Sequence, residues 1–182
     1  MAKPYPSELV RSLTLRDGTR VVARPIRPED RQIEKEFVQR LSSEAKYFRF
    51  MSALGELSEA MLSRFIRIDY DREMALIAVV CENEKETEIG VARYVVNADN
   101  TSCEFAVAVA DAWQNRGVGT ALLLALVAAA RARGLLTMEG IVMARNSRML
   151  GLMSALGFSI GAEPGDASIR HVTKRLDLPS IA

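Results

Sequence analysis

The stretch Gln114-Asn115-Arg116-Gly117-Val118-Gly119 constrains this 182-residue chain more than any other, because it joins an alternating segment, Glu104 to Ala110, to an almost wholly apolar one, Thr120 to Ala130. The first reads as a strand and the second as a buried helix, so the connection is a strand-to-helix turn. Glycines at 117 and 119 remove two Cβ atoms where backbone approaches a ligand. The helix that follows presents N–H groups without intrahelical acceptors and the positive end of its dipole. Such a turn cradles a phosphate or pyrophosphate mostly with backbone, and Arg116 adds charge. It is not the dinucleotide fingerprint, which needs G-x-G-x-x-G and an acidic residue about 20 positions on, nor the Walker loop, which needs G-x-x-x-x-G-K-[ST]. Six residues alone also leave open a simpler role, in which a glycine pair lets helix and sheet pack closely.

The length suits one well-packed domain. With 24 Lys plus Arg against 23 Asp plus Glu, no global field points to nucleic acid. Arg24, Arg27 and Arg31 are interleaved with Glu29 and Asp30 and read as a solvated face. Cys81 and Cys103 lie in apolar, strand-like stretches without the number or spacing of a disulfide framework or metal site, so a reducing cytoplasm and no metal are expected. The start, Met1-Ala-Lys-Pro-Tyr-Pro, has no signal-peptide core, and the longest apolar run, Val118 to Ala130, is too short to span a bilayer. A soluble protein with no membrane partner is expected, monomer or homodimer, since a helix apolar on nearly every side suits full burial or a dimer contact.

Residues 1–11 read as an extended arm or linker remnant, 12–177 as the single domain and 178–182 as a tail. Asp17-Gly18 between alternating segments predicts a hairpin with a tight, positive-φ turn. Pro28-Glu29-Asp30 opens a helix whose Ile33, Phe37, Val38 and Leu41 share a face; Ser43 and Ser58 are N-caps of two more, the second running through Met61, Leu62, Phe65 and Ile66. Strands are expected over Met74 to Cys81 and Glu88 to Val96, with a polar turn at Glu82 to Thr87, and again over Leu136 to Ala144 and Ser168 to Leu176. Gly134 stops the long helix, and a short helix from Asn146 to Leu156 ends at Gly157. The sum is an α/β chain of the α+β type: a mixed, mostly antiparallel central sheet of six to seven strands with helices on both faces.

Q-x-R-G-x-G after a strand resembles the signature of the GNAT superfamily of acyl-CoA-dependent N-acyltransferases. The resemblance implies the GNAT fold, with a splay between the strands before and after the long helix, and acetyl-CoA as co-substrate. It places the coenzyme's pyrophosphate on Gln114, Asn115, Arg116, Gly117, Val118, Gly119 and Thr120, and the pantetheine arm on the strand around Val107 and Val109. Asn146 matches a position that often contacts coenzyme A there. A splay leaves backbone groups near Val107 and Val109 without ladder partners, free to pair with pantetheine amides. The N–H of Val107 then polarises the thioester carbonyl.

Direct attack by an amine meets one main obstacle. A lysine of pKa about 10.4 is neutral only about 0.1% of the time at pH 7.4, which adds roughly 4 kcal/mol to the barrier unless a base takes the proton. Glu104, flanked by Cys103, Phe105, Ala106 and Val107, is the candidate, because apolar neighbours would raise its pKa toward working pH. An exposed strand start is the other reading of that residue, and Asp69, Asp71 and Glu73 are rivals better suited to a charged connection. Cys103, with no histidine near it in sequence, reads as a buried inert thiol, and His171 has no assigned role.

Across nearly the whole chain, Tyr5-Pro6, Leu15-Arg-Asp-Gly18, Arg24-Pro-Ile-Arg-Pro-Glu-Asp30, Tyr47-Phe-Arg-Phe50, Ile68-Asp-Tyr-Asp-Arg-Glu73 and Glu104-Phe-Ala-Val107 resemble the acetyltransferase module of Pat-type bacterial protein lysine acetyltransferases. That resemblance implies Glu104 as general base and a protein substrate presenting a lysine, notably an acyl-CoA synthetase. Many members carry the module behind a large regulatory domain, so the expectation here is control that is absent or supplied in trans. Where many GNAT enzymes place a tyrosine that protonates the leaving thiolate, this chain has Met153. Two other readings stand beside a protein lysine acetyltransferase: an N-acetyltransferase of a small amine such as a polyamine or antibiotic, and a non-catalytic acyl-CoA-binding module.

Overall fold

Eight strands form one sheet in the computed structural model, which describes residues 3–50 and 57–177. They are β1 (Arg11–Thr14), β2 (Arg20–Pro25), β3 (Glu73–Glu82), β4 (Lys85–Val96), β5 (Ser102–Val109), β6 (Thr137–Met143), β7 (Ser159–Glu163) and β8 (Asp166–Arg175), in the order β1-β2-β3-β4-β5-β6-β8-β7. Every neighbouring pair is antiparallel except β5 and β6. Five helices follow from the apolar spacing: α1 (Arg31–Arg40), α2 (Ser43–Phe50), α3 (Glu59–Ile66), α4 (Val118–Ala132) and α5 (Ser147–Ala155).

Two cores sandwich the sheet. Leu122, Leu123 and Leu126 of α4 pack with Leu76, Ala92, Met138 and Met153 on one face; Phe37 and Val38 of α1 pack with Leu62, Ile66, Ile77 and Val91 on the other. Covered on both faces, β3 is buried without a break from Met74 to Val80, which is why it reads as a continuous apolar run rather than an alternating one. α4 buries seven residues but leaves Leu124 54% exposed.

Local departures from the sequence reading have physical causes. The strand count rises to eight because β7, with Ile160 its one large apolar residue and four of five positions exposed, carries no alternation to betray it. β4 starts at Lys85, because Asn83 and Glu84 (φ 50° and 63°) both take the left-handed conformation and close a two-residue hairpin. Ser42, not Ser43, caps α2, its Oγ accepting from the Ala45 N–H at 3.1 Å, while Ser58 caps α3 as expected, accepting from the Met61 N–H. The arm is docked: the Lys3 N–H donates to the Asp69 carbonyl at 2.8 Å, the Tyr5 hydroxyl to that of Pro25 at 3.1 Å, and the Tyr5 ring meets Tyr70 edge-on. The expected 178–182 tail lies outside the described residues.

The solvated face expected around Arg24 is a correction of a different kind. Arg24 is only 2% exposed; its guanidinium donates to both oxygens of Asp30 at 2.7 Å and to Glu86 at 2.6 Å. A bidentate partner makes such burial tolerable. Deeper still, Glu88 is fully buried on β4, with no donor within reach of either carboxylate oxygen. Burial and the neighbouring Glu34 push its pKa well above the usual 4.5, so the proton it keeps can be donated to Glu34.

Two outcomes follow for stability. An acid whose folded pKa is raised favours the fold at low pH, and that contribution is lost as pH climbs above about 4.5 toward the raised value. Glu88→Gln should therefore raise Tm over wild type at pH 8 and by much less at pH 4.5, checked by thermal denaturation across that range. At Gly140 of β6, an added Cβ would lie 2.8 Å from the Phe105 ring and 3.2 Å from its carbonyl oxygen. Gly140→Ala should cost about 1–3 kcal/mol by overpacking, read from denaturant midpoints.

Candidate functional site

The parallel ladder of β5 and β6 holds for three residue pairs, Ser102 with Thr137, Cys103 with Met138 and Glu104 with Glu139, and then the strands part. β5 stays paired to β4 as far as Val109, so only its other edge is open. The Ala110 N–H bonds to the Ile89 carbonyl on the β4 side; strand alternation therefore turns the N–H and C=O of Val107 and the N–H of Val109 into the gap. The Val109 carbonyl is taken by Gln114 Nε2 at 3.2 Å, and Gln114 Oε1 accepts from Arg148 at 2.9 Å. Gln114 thus staples the turn to the strand end and to α5.

A cleft of about 780 Å³ fills the gap. Val107, Val109, Gln114, Asn115, Gly117, Gly119, Thr120 and Asn146 all line it, as does Glu104 at the fork. Asn115 (φ 61°) and Gly117 (φ 95°) take the left-handed conformation on either side of Arg116, and a turn so built can gather N–H groups into an anion-binding concavity. The first helical bond runs from the Ala121 N–H to the Gly117 carbonyl, so the N–H groups of Val118, Gly119 and Thr120 have no acceptor inside α4. An elongated ligand carrying phosphates at one end and amides along its length fits these groups.

Other side chains turn elsewhere. Arg116 stacks over Trp113, 4.5 Å from the ring centre, and pairs with Asp17 of the first hairpin, so its backbone alone belongs to the cradle. Val118 packs into the core at 2% exposure. The Asn146 carboxamide caps α5 by accepting from the Met149 N–H at 3.1 Å. The positive charge beside Asn146 comes instead from Arg145 and Arg148, which the sequence reading missed; their signal is that they flank Asn146 at the start of α5. Arg145 also reaches across to α2, lying over the rings of Tyr47 and Phe48.

Glu104 lies exposed on the face of the sheet opposite α4, so the apolar enclosure expected from Cys103, Phe105 and Val107 is not there: those side chains point through to the α4 core. Cys103 is fully buried, and burial with Glu139 nearby pushes its thiol up to about 12, which leaves no thiolate to act as a nucleophile. Asp69 Oδ1 accepts from the N–H groups of Asp71, Arg72 and Glu73, and Asp71 pairs with Lys3 and Arg133. His171 pairs with Glu163 on the outer strands. Met153 is fully buried, and none of the chain's four tyrosines lines the cleft.

The GNAT acetyltransferase-domain family matches residues 20–159. An acetyltransferase of Pseudomonas aeruginosa is 38% identical over 165 residues, 91% of this chain and 88% of that protein. The chain belongs to the GNAT acetyltransferase family. Its enzymes take the acetyl group from acetyl-CoA. Acetyltransferase Pat of Mycolicibacterium smegmatis is 31% identical over 144 residues, 79% of this chain and 42% of the relative. Among solved structures, the GNAT domain of Streptomyces lividans PAT superposes with a TM-score of 0.86 at 27% identity, covering 94% of this chain and 99% of that one.

At Gly119 a Cβ would sit 3.5 Å from Val109 and 3.6 Å from Leu152, ordinary contacts that the fold accepts. Gly119→Val, which carries extra methyl groups into the cradle, should weaken acetyl-CoA binding at least about tenfold, near 1.4 kcal/mol, with little change in Tm; calorimetric titration measures it.

Proposed function

We propose that this GNAT enzyme acetylates the side-chain amine of a lysine in a protein, an acyl-CoA synthetase being the first substrate to try, by direct attack with Glu104 as general base. One observation carries the reading: the β5–β6 ladder ends at Glu104, so the only carboxylate on the fork of β5 stands where the open strand edge begins. The likeness to Pat proteins over most of the chain supports the protein acceptor.

In this mechanism the coenzyme's phosphates lie on the N–H groups from Asn115 to Thr120, with Arg145 and Arg148 beside them, and its pantetheine arm pairs with Val107 and Val109. The Val107 N–H faces the thioester oxygen as negative charge develops there. The amine nitrogen forms its bond to the acetyl carbon as the C–S bond breaks; the proton shed by nitrogen passes to Glu104, directly or through water, and the electron pair leaves with sulfur. A thiolate is a far weaker base than an alkoxide or amide anion and departs without a tyrosine donor, which suits a cleft lined by no tyrosine among the described residues. The unpaired Cys81 and Cys103 fit a cytoplasmic setting.

Incubation with labelled acetyl-CoA and an acyl-CoA synthetase should place label on a lysine. Glu104→Gln should retain acetyl-CoA affinity while kcat falls at least about 10²-fold. An unchanged rate removes Glu104 from the mechanism, and labelling of polyamines or aminoglycosides but of no protein shifts the acceptor to a small amine.

A further inference from the structure

On the face of the sheet covered by α3, a second pocket of about 330 Å³ opens beside the cleft, walled by Arg49, Arg64, Phe65, Glu73, Arg93 and Glu104. The two spaces share Arg49, Glu104, Phe105 and Ala106, so they meet at the candidate base. Glu104 and Arg49 stand on the shared boundary, and Arg64, Arg93 and Glu73 line the pocket beyond it.

The three guanidinium groups are not equally satisfied. Arg93 donates to the Phe65 carbonyl at 3.3 Å, lies 3.6 Å from Glu34 and 4.6 Å from the centre of the Phe65 ring, and keeps a buried Nε without a partner. Arg49 rests on the rings of Phe50 and Phe65, at 5.0 and 6.0 Å, and among the described residues no carboxylate comes within ion-pair distance of it. Loss of water and the neighbouring Arg93 lower its pKa to about 10, with Glu34 opposing. Glu73, on the same wall, also attracts Arg93, behind Glu34 and Glu88. A half-buried cation beside a second one is costly, and an anion placed between them relieves both.

On the acyl-transfer reading above, we infer that this pocket holds a carboxylate of the acceptor, so that the substrate is an amine with a carboxylate close to it. Guanidinium forks grip such a group through paired N–H donors and orient it, which brings the amine to Glu104 at the other end. The same chemistry is supplied by an acidic side chain beside a target lysine or by the α-carboxylate of a free amino acid.

The test uses twin substrates at saturating acetyl-CoA: a lysine peptide with a neighbouring glutamate against the same peptide with glutamine, and free amino acids against their carboxamides. The carboxylate member of a pair should exceed its amide twin in kcat/KM by about tenfold or more. Arg49→Gln should bring that ratio toward one, and so should Arg64→Gln, whose exposed position at the rim keeps the test alive if the first variant folds poorly. Preference confined to the peptide pair names an acidic side chain as the ligand; preference confined to the amino acids names the α-carboxylate. Equal kcat/KM for the twins, or a preference that survives both variants, overturns the inference and leaves acetyl transfer standing. Transfer to no amine at all strikes instead at the proposed function, and calorimetry with the Nε-acetylated peptides in the presence of coenzyme A then decides the pocket: tighter binding of the glutamate form supports it, equal or absent binding overturns it.

Discussion

The ring of Phe105, lodged beneath Gly140 and 5.3 Å from that of Phe158, stands at the base of the fork where β5 and β6 part. The site depends on this wedge. A ladder that continued past Glu104 would satisfy the Val107 and Val109 backbone internally and close the cleft; a ladder that never formed would leave Glu104 unanchored. Three paired residues on each strand, followed by an aromatic ring where the neighbour has no side chain, give a sheet that is continuous on one edge and open on the other. Backbone polarity, normally consumed by the fold, is left over for a ligand.

On the opposite side of β4 the structure spends charge where apolar packing would be expected. Arg24 with Asp30, and Arg93 with Glu34 and Glu88, form an ionic layer between the sheet and α1, with the partly exposed Glu86 at its edge. Its members do not balance locally. Burial, with Glu34 beside it, pushes the Glu88 pKa well above the usual 4.5, and Glu34 faces both Arg93 and Arg49. A polar layer with unmet partners is a source of fold specificity only when its remaining valences are answered, and the one nearest the reaction faces the second pocket rather than the core.

How much of this was legible in the sequence depended on whether the signal was local. Gly117 and Gly119 after an alternating strand fix the cradle, since positive φ and a bare helix start are properties of a few consecutive residues. The Asp17-Gly18 turn, the Ser58 cap and the stops at Gly134 and Gly157 were readable for the same reason. Side-chain direction was not. Arg116 reads as a phosphate ligand until Asp17, almost a hundred residues earlier, is seen to hold it; Arg24 reads as surface until Asp30 and Glu86 close round it. Glu104 is a candidate on either reading, but not for the apolar enclosure that its sequence neighbours suggest, because they project through the opposite face. Arg145, Arg148 and the guanidinium pocket depend on contacts between separate elements that no window of the sequence contains.

α2 contributes no buried residue to either core. Ala45 and Phe50 lean half-buried on the α1 core, Phe50 stacking 6.0 Å from Phe65, and the rest of the helix's hold is polar: the Asp111 carboxylate on the Ser42 hydroxyl and N–H, at 2.8 and 3.0 Å, and the stacking of Arg145 on Tyr47 and Phe48. Lifting it therefore uncovers less apolar surface than disturbing α4 on the other face, which would dismantle seven buried side chains. The sheet is therefore backed by a buried helix and roofed by a half-buried one, and on the proposed reading the acceptor enters on the side that the fold holds less tightly.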